Sequence, residues 1–189
     1  MIDYQTTVPK NDIRGRFLAI DPGDVHVGGA EFVRYKGEPW RVAWANELTP
    51  TGILKHLYQY IPRNTWGCLV VEEWRLFPEQ APRSVGSDMP SARLIGGIQT
   101  LAKLLPDKRH PLELHLQTPQ IKVPTRSWLA RRGLKSVAKL SEVSLDHATD
   151  AELHGYRYLI NSNQQVWNQT EQDQVYAGHP GLSKSHVLW

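Results

Sequence analysis

Three short strand-like runs open the pattern of hydrophobic and polar positions, and turn residues separate them. The runs are residues 17–21, 25–33 and 40–46. A Pro-Gly-Asp turn at 22–24 follows the first run, and Gly37 precedes the third. Strands joined by such short turns favour an antiparallel meander. The glycine pair at 28–29 indicates a bulge or the close approach of another backbone segment.

Helix-like and strand-like segments alternate along the remainder of the chain. Apolar residues from Ile53 to Ile61 recur at helical spacing after Thr49 or Thr51, either of which can cap a helix. The later segments are a buried strand within 66–74, a helix at 91–105, a strand at 112–117, a short helix at 127–132 and a helix at 144–160. The order β-β-β-α-β-α-β-α predicts an α/β fold with a mixed five-stranded sheet and helices on both faces.

The two ends of the chain differ in composition from its middle. Residues 1–15 are polar and lack periodicity, and residues 163–189 are polar and rich in Gln and Asn. The chain has 189 residues, of which 40% are hydrophobic, enough for one substantial core. We therefore expect a flexible leader at 1–15, a folded domain at 16–162 and an irregular tail at 163–189.

Cysteine content and hydropathy exclude several classes of protein. The single cysteine, Cys68, excludes an internal disulfide and a cysteine-rich zinc cage, and favours a reducing compartment. The chain contains no run of 18 apolar residues, and its first residues lack the pattern of a signal peptide. We expect a soluble intracellular protein without a membrane partner.

Basic charge is concentrated in one segment. The formal net charge is only +3, which is too small to indicate a polyanionic partner. However, residues 114–141 contain no Asp or Glu, and they carry Lys122, Arg126, Arg131, Arg132, Lys135 and Lys139. This segment is typical of a phosphate-binding face, although a solvated surface would show the same composition.

Carboxylates follow two of the predicted buried strands. Asp21 ends the first strand, and Glu72 and Glu73 end the fourth. The ends of neighbouring central strands form the usual crevice of an open α/β sheet, so these acids are expected to meet there. Because side chains alternate along a strand, only one of the two glutamates can face the crevice.

The last predicted helix carries further acids and histidines. These residues are Asp146, His147, Asp150 and His154. Asp150 lies three residues after His147, four after Asp146 and four before His154, so it shares a helical face with each of them. Clustered carboxylates repel one another unless they bind a cation, and hard oxygen ligands suit Mg²⁺ or Mn²⁺. Two such ions about 4 Å apart can promote phosphodiester hydrolysis.

Simpler interpretations of the same residues stay open. Asp21 lies in a good turn sequence, and a helical acid or histidine often belongs to a solvated face. A mononuclear zinc site formed by His147, Asp150 and His154 is another alternative, but it needs ligands from a second segment.

Four stretches together carry a resemblance to a known family. They are LAIDPG in the first strand, VVEEW in the fourth, QTPQIK before the basic segment and HATDAELHGYRYL in the last helix. In this order the chain resembles the RuvC-type Holliday junction resolvases, with the ribonuclease H-like (retroviral integrase-like) fold, and in particular their shorter phage-borne relatives. The resemblance covers about residues 17–159.

This resemblance implies a homodimeric endonuclease that cuts opposed strands of a four-way DNA junction and leaves 5′-phosphate and 3′-hydroxyl ends. It implies two Mg²⁺ ions per site, which Mn²⁺ can replace, and a location in the bacterial cytosol or the phage-infected cell. The catalytic and metal-binding residues that it implies are Asp21, Glu72, His147 and Asp150. Of these, His147 can bind metal as neutral imidazole or act as a proton carrier.

The resemblance also suggests how DNA and a second subunit bind. Lys122 matches the QTPQIK stretch, and the predicted DNA-binding set is Lys122, Arg126, Arg131, Arg132, Lys135 and Lys139. Trp74, Phe77 and Trp128 are candidates for stacking on unpaired bases, or for core packing. The helix at 91–105, with Gly96 and Gly97, is a candidate dimer surface or an ordinary packing helix. Asp24 departs from the family, which has a small hydroxyl residue there.

Two other functions compete with this prediction. A different nuclease of the same fold, acting on branched DNA or on RNA–DNA hybrids, would use the same carboxylates. Alternatively, the chain is a non-catalytic DNA-binding module that retains the fold. The complete set of Asp21, Glu72, His147 and Asp150 argues against the second alternative.

Overall fold

A computed structural model describes residues 13–63, 65–74, 89–138 and 145–166. Within these residues the chain forms one mixed five-stranded sheet. The strands are β1 (Ile13–Asp21), β2 (Val27–Tyr35), β3 (Arg41–Leu48), β4 (Cys68–Glu72) and β5 (Glu113–Gln117), in the order β3-β2-β1-β4-β5. The pairs β1–β2 and β2–β3 are antiparallel, whereas β1–β4 and β4–β5 are parallel. The predicted meander and the α/β sheet are confirmed.

Four α-helices of the described residues cover the sheet. They are α1 (Pro50–Tyr60), α2 (Pro90–Leu104), α3 (Lys122–Arg131) and α4 (Asp146–Asn161), and single 3₁₀ turns lie at Ile61–Arg63 and Pro119–Ile121. Thr49 is the cap of α1, because its hydroxyl accepts a hydrogen bond from the Gly52 amide. No helix of the described residues is long and apolar enough to cross a membrane.

Two elements begin more than two residues before the predicted start. β1 begins at Ile13 and not at residue 17, because Ile13, Gly15 and Arg16 also pair with β2. The helix expected at 127–132 begins at Lys122. Pro124 lies in the first turn of this helix, where proline is tolerated because its missing amide has no intrahelical partner. Gly133, with φ of 67°, ends the helix as predicted.

The central strands are buried on both faces, and their side chains alternate between two cores. Phe17 and Ala19 of β1 pack with α3 and α4, whereas Leu18 and Ile20 pack with α1 and α2. β4 follows the same rule, with Cys68 and Val70 on the α4 side and Leu69 and Val71 on the other. The helices therefore lie on both faces of the sheet, as predicted.

Glycine allows α4 to lie directly on β2. A Cβ at Gly28 would overlap the carbonyl group of His147, and a Cβ at Gly155 would overlap the ring of Phe32. The close backbone approach predicted for Gly28 is thus confirmed. The irregularity in the β2–β3 pairing lies further along, between Glu31 and Phe32. The contact between Gly28 and His147 fixes the N-terminal end of α4 over the end of β1, because Gly28 pairs with Asp21.

Residues just after α4 attach to the edge of the sheet. The Trp40 amide donates to the Gln165 carbonyl, and Gln164 Oε1 accepts hydrogen bonds from Trp40 Nε1 and Arg34 Nη1. The start of the predicted irregular tail therefore contacts Arg34 of β2 and Trp40, the residue just before β3. The predictions for residues 1–12 and 167–189, for Phe77 and for Lys139 lie outside the described residues.

Candidate metal centre

The strand alternation puts three polar side chains on the face that α4 covers. Asp21 continues the Phe17–Ala19 series of β1, and Glu72 continues the Cys68–Val70 series of β4. β1 and β4 are parallel and in register, with Ile20 beside Val71, so the two carboxylates follow neighbouring strand ends. On the other side of β4, Gln117 of the parallel strand β5 lies beside Glu72 and is the third of these side chains.

Helix α4 brings the remaining predicted ligands to the same place. His147, Asp150 and His154 are spaced by three and four residues along α4, so they face the strand ends. Glu47 at the end of β3 fixes the start of this helix, because its Oε1 accepts a hydrogen bond from the His147 amide at 2.9 Å. The acid contributes the cap that Leu145, at the N-cap position, does not supply.

The ammonium of Lys122 lies at the centre of three carboxylates. Its Nζ is 2.8 Å from Asp21 Oδ1, 2.6 Å from Glu72 Oε2 and 2.8 Å from Asp150 Oδ2. Lys122 is the first residue of α3, which therefore directs this side chain inward. One carboxylate oxygen from each of β1, β4 and α4 thus converges on a single cation.

Both histidines of the site contact a carboxylate. His147 Nδ1 lies 2.5 Å from Asp21 Oδ2, the oxygen that Lys122 does not contact. His154 is fully buried, with Nε2 2.7 Å from Glu72 Oε2 and Nδ1 3.0 Å from Gln117 Oε1. Each strand-end acid is therefore held by its own imidazole from α4.

The two strand-end carboxyls have opposite electrostatic environments. Burial raises the pKa of Asp21 to about 6, and its hydrogen bond to Glu72 acts in the same direction, while Lys122 opposes both. Burial also disfavours ionisation of Glu72, but hydrogen bonds with His154, Asp21 and Lys122 outweigh it and lower its pKa to about 2. Glu72 is thus the more firmly ionised member of the pair.

Lys122 partly neutralises the cluster. Burial acts to lower its pKa, but attraction to Asp21 and hydrogen bonds with Asp150 and Glu72 prevail and raise it. With all three carboxylates ionised, one ammonium leaves a net charge of −2. A cluster with this residual charge, built from hard oxygen donors, fits a divalent cation.

The grouping of possible ligands differs in one respect from the sequence prediction. Among the described residues, Asp21, Glu72 and His154 offer ligand atoms within 4.8 Å of one another. Asp150 joins the cluster through Lys122. The alternative zinc set of His147, Asp150 and His154 does not form such a group within the described residues, because the two histidines contact different carboxylates.

The predicted DNA-binding residues fall into two sets. Lys122 lies inside the site, and Arg126 Nη2 lies 3.5 Å from Asp150 Oδ1 at its rim. Arg131, the last residue of α3, and Arg132 and Lys135 just after it are exposed and lie away from these contacts. The guanidinium of Arg132 lies over the ring of Trp128, which is half-buried against the α4-side core.

Two acids that the sequence left unassigned have structural roles. Asp24 Oδ1 accepts hydrogen bonds from the amide and hydroxyl of Ser91, so it caps α2 from a separate loop. Asp146 is the first residue of α4, where a negative charge is favourable.

Within α2, a Cβ at Gly97 would contact Leu54 of α1, whereas Gly96 faces open space. The dimer surface predicted for this helix stays a prediction.

Sequence reasoning missed the contacts of His154, Gln117 and Glu47. The helical spacing placed His154 on the inner face of α4, but nothing local indicated that its partner is Glu72, 82 residues away in sequence. The strand pairing that brings Gln117 beside Glu72 is likewise a long-range feature. These contacts can be predicted only once the order of the strands in the sheet is known.

Solved structures share this fold. The chain is similar to Thermus thermophilus RuvC in complex with a Holliday junction substrate, with a TM-score of 0.53 and 12% identity over 79% of this chain and 98% of that one. A second Thermus thermophilus RuvC structure gives a TM-score of 0.50 and 14% identity over the same shares of the two chains. The chain therefore has the fold of these RuvC structures.

The yeast mitochondrial Holliday junction resolvase Ydc2 is similar at a TM-score of 0.49, with 12% identity over 89% of this chain and 83% of that one. No protein-family model and no curated protein sequence matches the chain.

Proposed function

We propose that this chain is a divalent-metal-dependent endonuclease that hydrolyses phosphodiester bonds in branched DNA, with the four-way junction as its substrate. The observation that carries the proposal is the convergence of Asp21, Glu72 and Asp150 on one cation position, which the Lys122 ammonium marks. The similarity of fold to RuvC, whose structure was solved with a Holliday junction substrate, supports the choice of DNA.

Asp21, Glu72 and Asp150 would hold the metal, with His147 beside Asp21. Two Mg²⁺ ions, which Mn²⁺ can replace, would activate water and stabilise the leaving oxygen. The chain itself supplies the rigid placement of the oxygen donors at the ends of β1 and β4. The His147 side chain is 41% exposed and contacts Asp21 through Nδ1, so it is placed to exchange a proton with solvent.

The basic residues have separable roles in this proposal. Lys122 and Arg126 lie at the site, where they would contact the phosphates next to the scissile bond. Arg131, Arg132 and Lys135, with Lys139, would bind the backbone further along an arm of the junction. Such contacts position DNA without reading its sequence, and they weaken as salt concentration rises.

Cleavage of two opposed strands requires two active sites. Each chain supplies one carboxylate cluster, so the proposed enzyme is a homodimer with two-fold symmetry. Sedimentation of the full chain, alone and with a junction, would measure this state directly. A monomer that stays monomeric on the junction would contradict paired cleavage.

The decisive experiment is cleavage of a synthetic mobile four-way junction by the purified full chain with Mg²⁺, with all strands labelled and the cuts mapped. We expect symmetric cuts in two opposed strands with 5′-phosphate ends, and no cleavage by Asp21→Asn or Glu72→Gln. Glu73→Gln is the matched control, since it neutralises the adjacent acid, and it should cut like the wild type.

The same assay separates the competing functions. Preferential cleavage of an RNA–DNA hybrid or a forked duplex would assign the site to another nuclease activity of this fold. Equal behaviour of the wild type and Asp21→Asn on every substrate would exclude catalysis by this cluster and favour a DNA-binding module.

A further inference from the structure

His154 of α4 is a fully buried polar side chain at the edge of the cluster. It has no exposed surface, and its two ring nitrogens contact Glu72 of β4 and Gln117 of β5. Ala151, three residues earlier on the same helix, is fully buried as well. A histidine at such a position loses its hydration, and the loss is offset only if both nitrogens find partners.

The chemistry of these contacts fixes the direction of the hydrogen bond to Glu72. The Glu72 carboxylate can only accept, so the Nε2–H of His154 donates to it. At Nδ1, the partner is an amide side chain, which can accept through Oε1 or, after a half-turn, donate through its nitrogen. Gln117 can therefore pair with Nδ1 as acceptor or as donor, and the bond to Glu72 is preserved.

The Lys122 ammonium shows which atoms surround the cation position. It contacts oxygens of Asp21, Glu72 and Asp150, and it reaches Glu72 through the same Oε2 that accepts from His154. The distance of 2.7 Å between His154 Nε2 and Glu72 Oε2 is that of a charge-assisted hydrogen bond. Two atoms that ligate the same ion lie further apart than this. The geometry therefore favours a His154 that holds Glu72 by a hydrogen bond over a His154 that ligates the ion directly.

We propose that His154 is a positioning residue, which holds the Glu72 carboxylate in its metal-binding orientation and is itself held by Gln117. This inference rests on the metal site of the proposed function. Glu72 is the last residue of β4, so its side chain has no following strand residue to restrain it. The hydrogen bond from α4 supplies the restraint and ties the β4 ligand to the helix that carries His147 and Asp150.

The test measures Mn²⁺ affinity of the full chain by titration calorimetry, without DNA. His154→Leu preserves side-chain volume but cannot donate, and it should weaken Mn²⁺ binding by about 10–100-fold, the usual effect of removing such a partner. His154→Gln retains an N–H donor and should recover affinity to within about threefold of the wild type. His115→Leu is the control, because it removes an exposed histidine that pairs with Glu113.

A second readout separates positioning from ligation. With Co²⁺ in place of Mn²⁺, an imidazole ligand contributes to the visible spectrum, so His154→Gln should leave the spectrum unchanged if His154 only positions Glu72. A changed Co²⁺ spectrum would overturn the positioning role and make His154 a ligand. If His154→Leu fails to fold, Gln117→Leu provides the same test, and it should weaken Mn²⁺ binding by a smaller factor than His154→Leu is expected to.

The outcomes distinguish this inference from the proposed function. Mn²⁺ binding by His154→Leu as tight as that of the wild type would overturn the role of His154 and leave the nuclease proposal intact. Failure of the folded wild type to bind Mn²⁺ would overturn the metal site of the proposed function and, with it, this role.

Discussion

Lys122 Nζ lies 2.6 Å from Glu72 Oε2, closer than to either of the other two carboxylates that it contacts. The ammonium therefore contacts the oxygens that would bind the proposed metal ion. In the proposed function, metal loading would move Lys122 away, and a DNA phosphate would offer the displaced ammonium a new partner. DNA binding and metal binding would then favour each other.

Replacing Lys122 with Gln should strengthen metal binding and weaken catalysis. Removal of the competing cation should tighten Mn²⁺ binding by about tenfold, which corresponds to about 1.4 kcal/mol. Junction cleavage should fall, because the phosphate contact is lost. Calorimetry and the cleavage assay measure the two effects separately.

Arg131→Gln provides the control for this substitution. It removes a positive charge from the same helix at an exposed position beyond the carboxylates. Its Mn²⁺ affinity should equal that of the wild type. Weaker Mn²⁺ binding by Lys122→Gln would show that Lys122 does not compete with the ion.

Divalent metal should stabilise the fold through this cluster. At about a hundredfold excess over Kd, a bound ion contributes about 2.7 kcal/mol, which is roughly 5–10 °C in Tm for a domain of this size. Asp21→Asn removes a central ligand and should abolish most of this shift. Thermal unfolding with Mg²⁺ and with EDTA gives the comparison.

The control for the metal effect is Glu113→Gln, which neutralises an exposed acid of β5. It should keep the full Mg²⁺-dependent shift. An equal shift in Asp21→Asn and the wild type would place the stabilising ion elsewhere on the protein.

Gly28 should be essential for placing α4 over the strand ends. A methyl group there would overlap the His147 carbonyl, which is backbone and cannot move alone. Gly28→Ala should cost about 1–3 kcal/mol of unfolding free energy, as overpacking does, and should weaken Mn²⁺ binding by displacing Asp150. Urea unfolding and calorimetry measure these effects.

Gly67→Ala is the comparison for Gly28→Ala. A Cβ at Gly67 would have its nearest neighbour at 3.9 Å, an ordinary contact with the Arg16 carbonyl. We expect a change within about 0.5 kcal/mol. Similar stability of the two glycine variants would mean that α4 does not press on β2 at this point.

The strand-end acids were predictable because the signal is local. The side chains of an apolar strand alternate between two buried faces. Where such a strand ends in a carboxylate, the alternation defines the position of Asp21 and the face of the sheet on which it lies. The VVE stretch does the same for Glu72. His147 and Asp150 followed from helical spacing and the family resemblance. The structure brings all four together, and their catalytic assignment stays a prediction.

The inward turn of Lys122 was not predictable from composition. A segment rich in Lys and Arg indicates a surface, and only the start of α3 at Lys122 aims this one side chain at the carboxylates. The pairing of His154 with Glu72 and of Glu47 with the His147 amide depends on which strands are neighbours. Such contacts span about half the chain or more and leave no local pattern.

A histidine distant from the cluster gives a pH-dependent test of the fold. Burial among Trp44, Tyr60 and Trp66 lowers the pKa of His56 to about 4. Its value in the unfolded chain is near 6.5, so the unfolded state takes up the proton first as the pH falls. The stability contributed by neutral His56 is complete above about pH 6.5 and is lost between there and pH 4.

His56→Phe keeps a ring but removes this titration. The wild type should lose more stability than the variant between about pH 7 and pH 4.5, by less than about 1.4 kcal/mol per pH unit, the limit for one proton. Urea unfolding across this range measures the difference, and His115→Phe at an exposed site is the control. Parallel pH profiles of the wild type and His56→Phe would contradict the assignment.

The central claim is that Asp21, Glu72 and Asp150 bind a divalent ion at the position marked by Lys122. Anomalous diffraction from crystals of the full chain soaked in Mn²⁺ tests it most directly. The account predicts an anomalous peak within coordination distance of oxygens from Asp21 and Glu72, with the Lys122 ammonium displaced from between them. Ordered carboxylates without a peak, and Lys122 still bound to all three at saturating Mn²⁺, would contradict it.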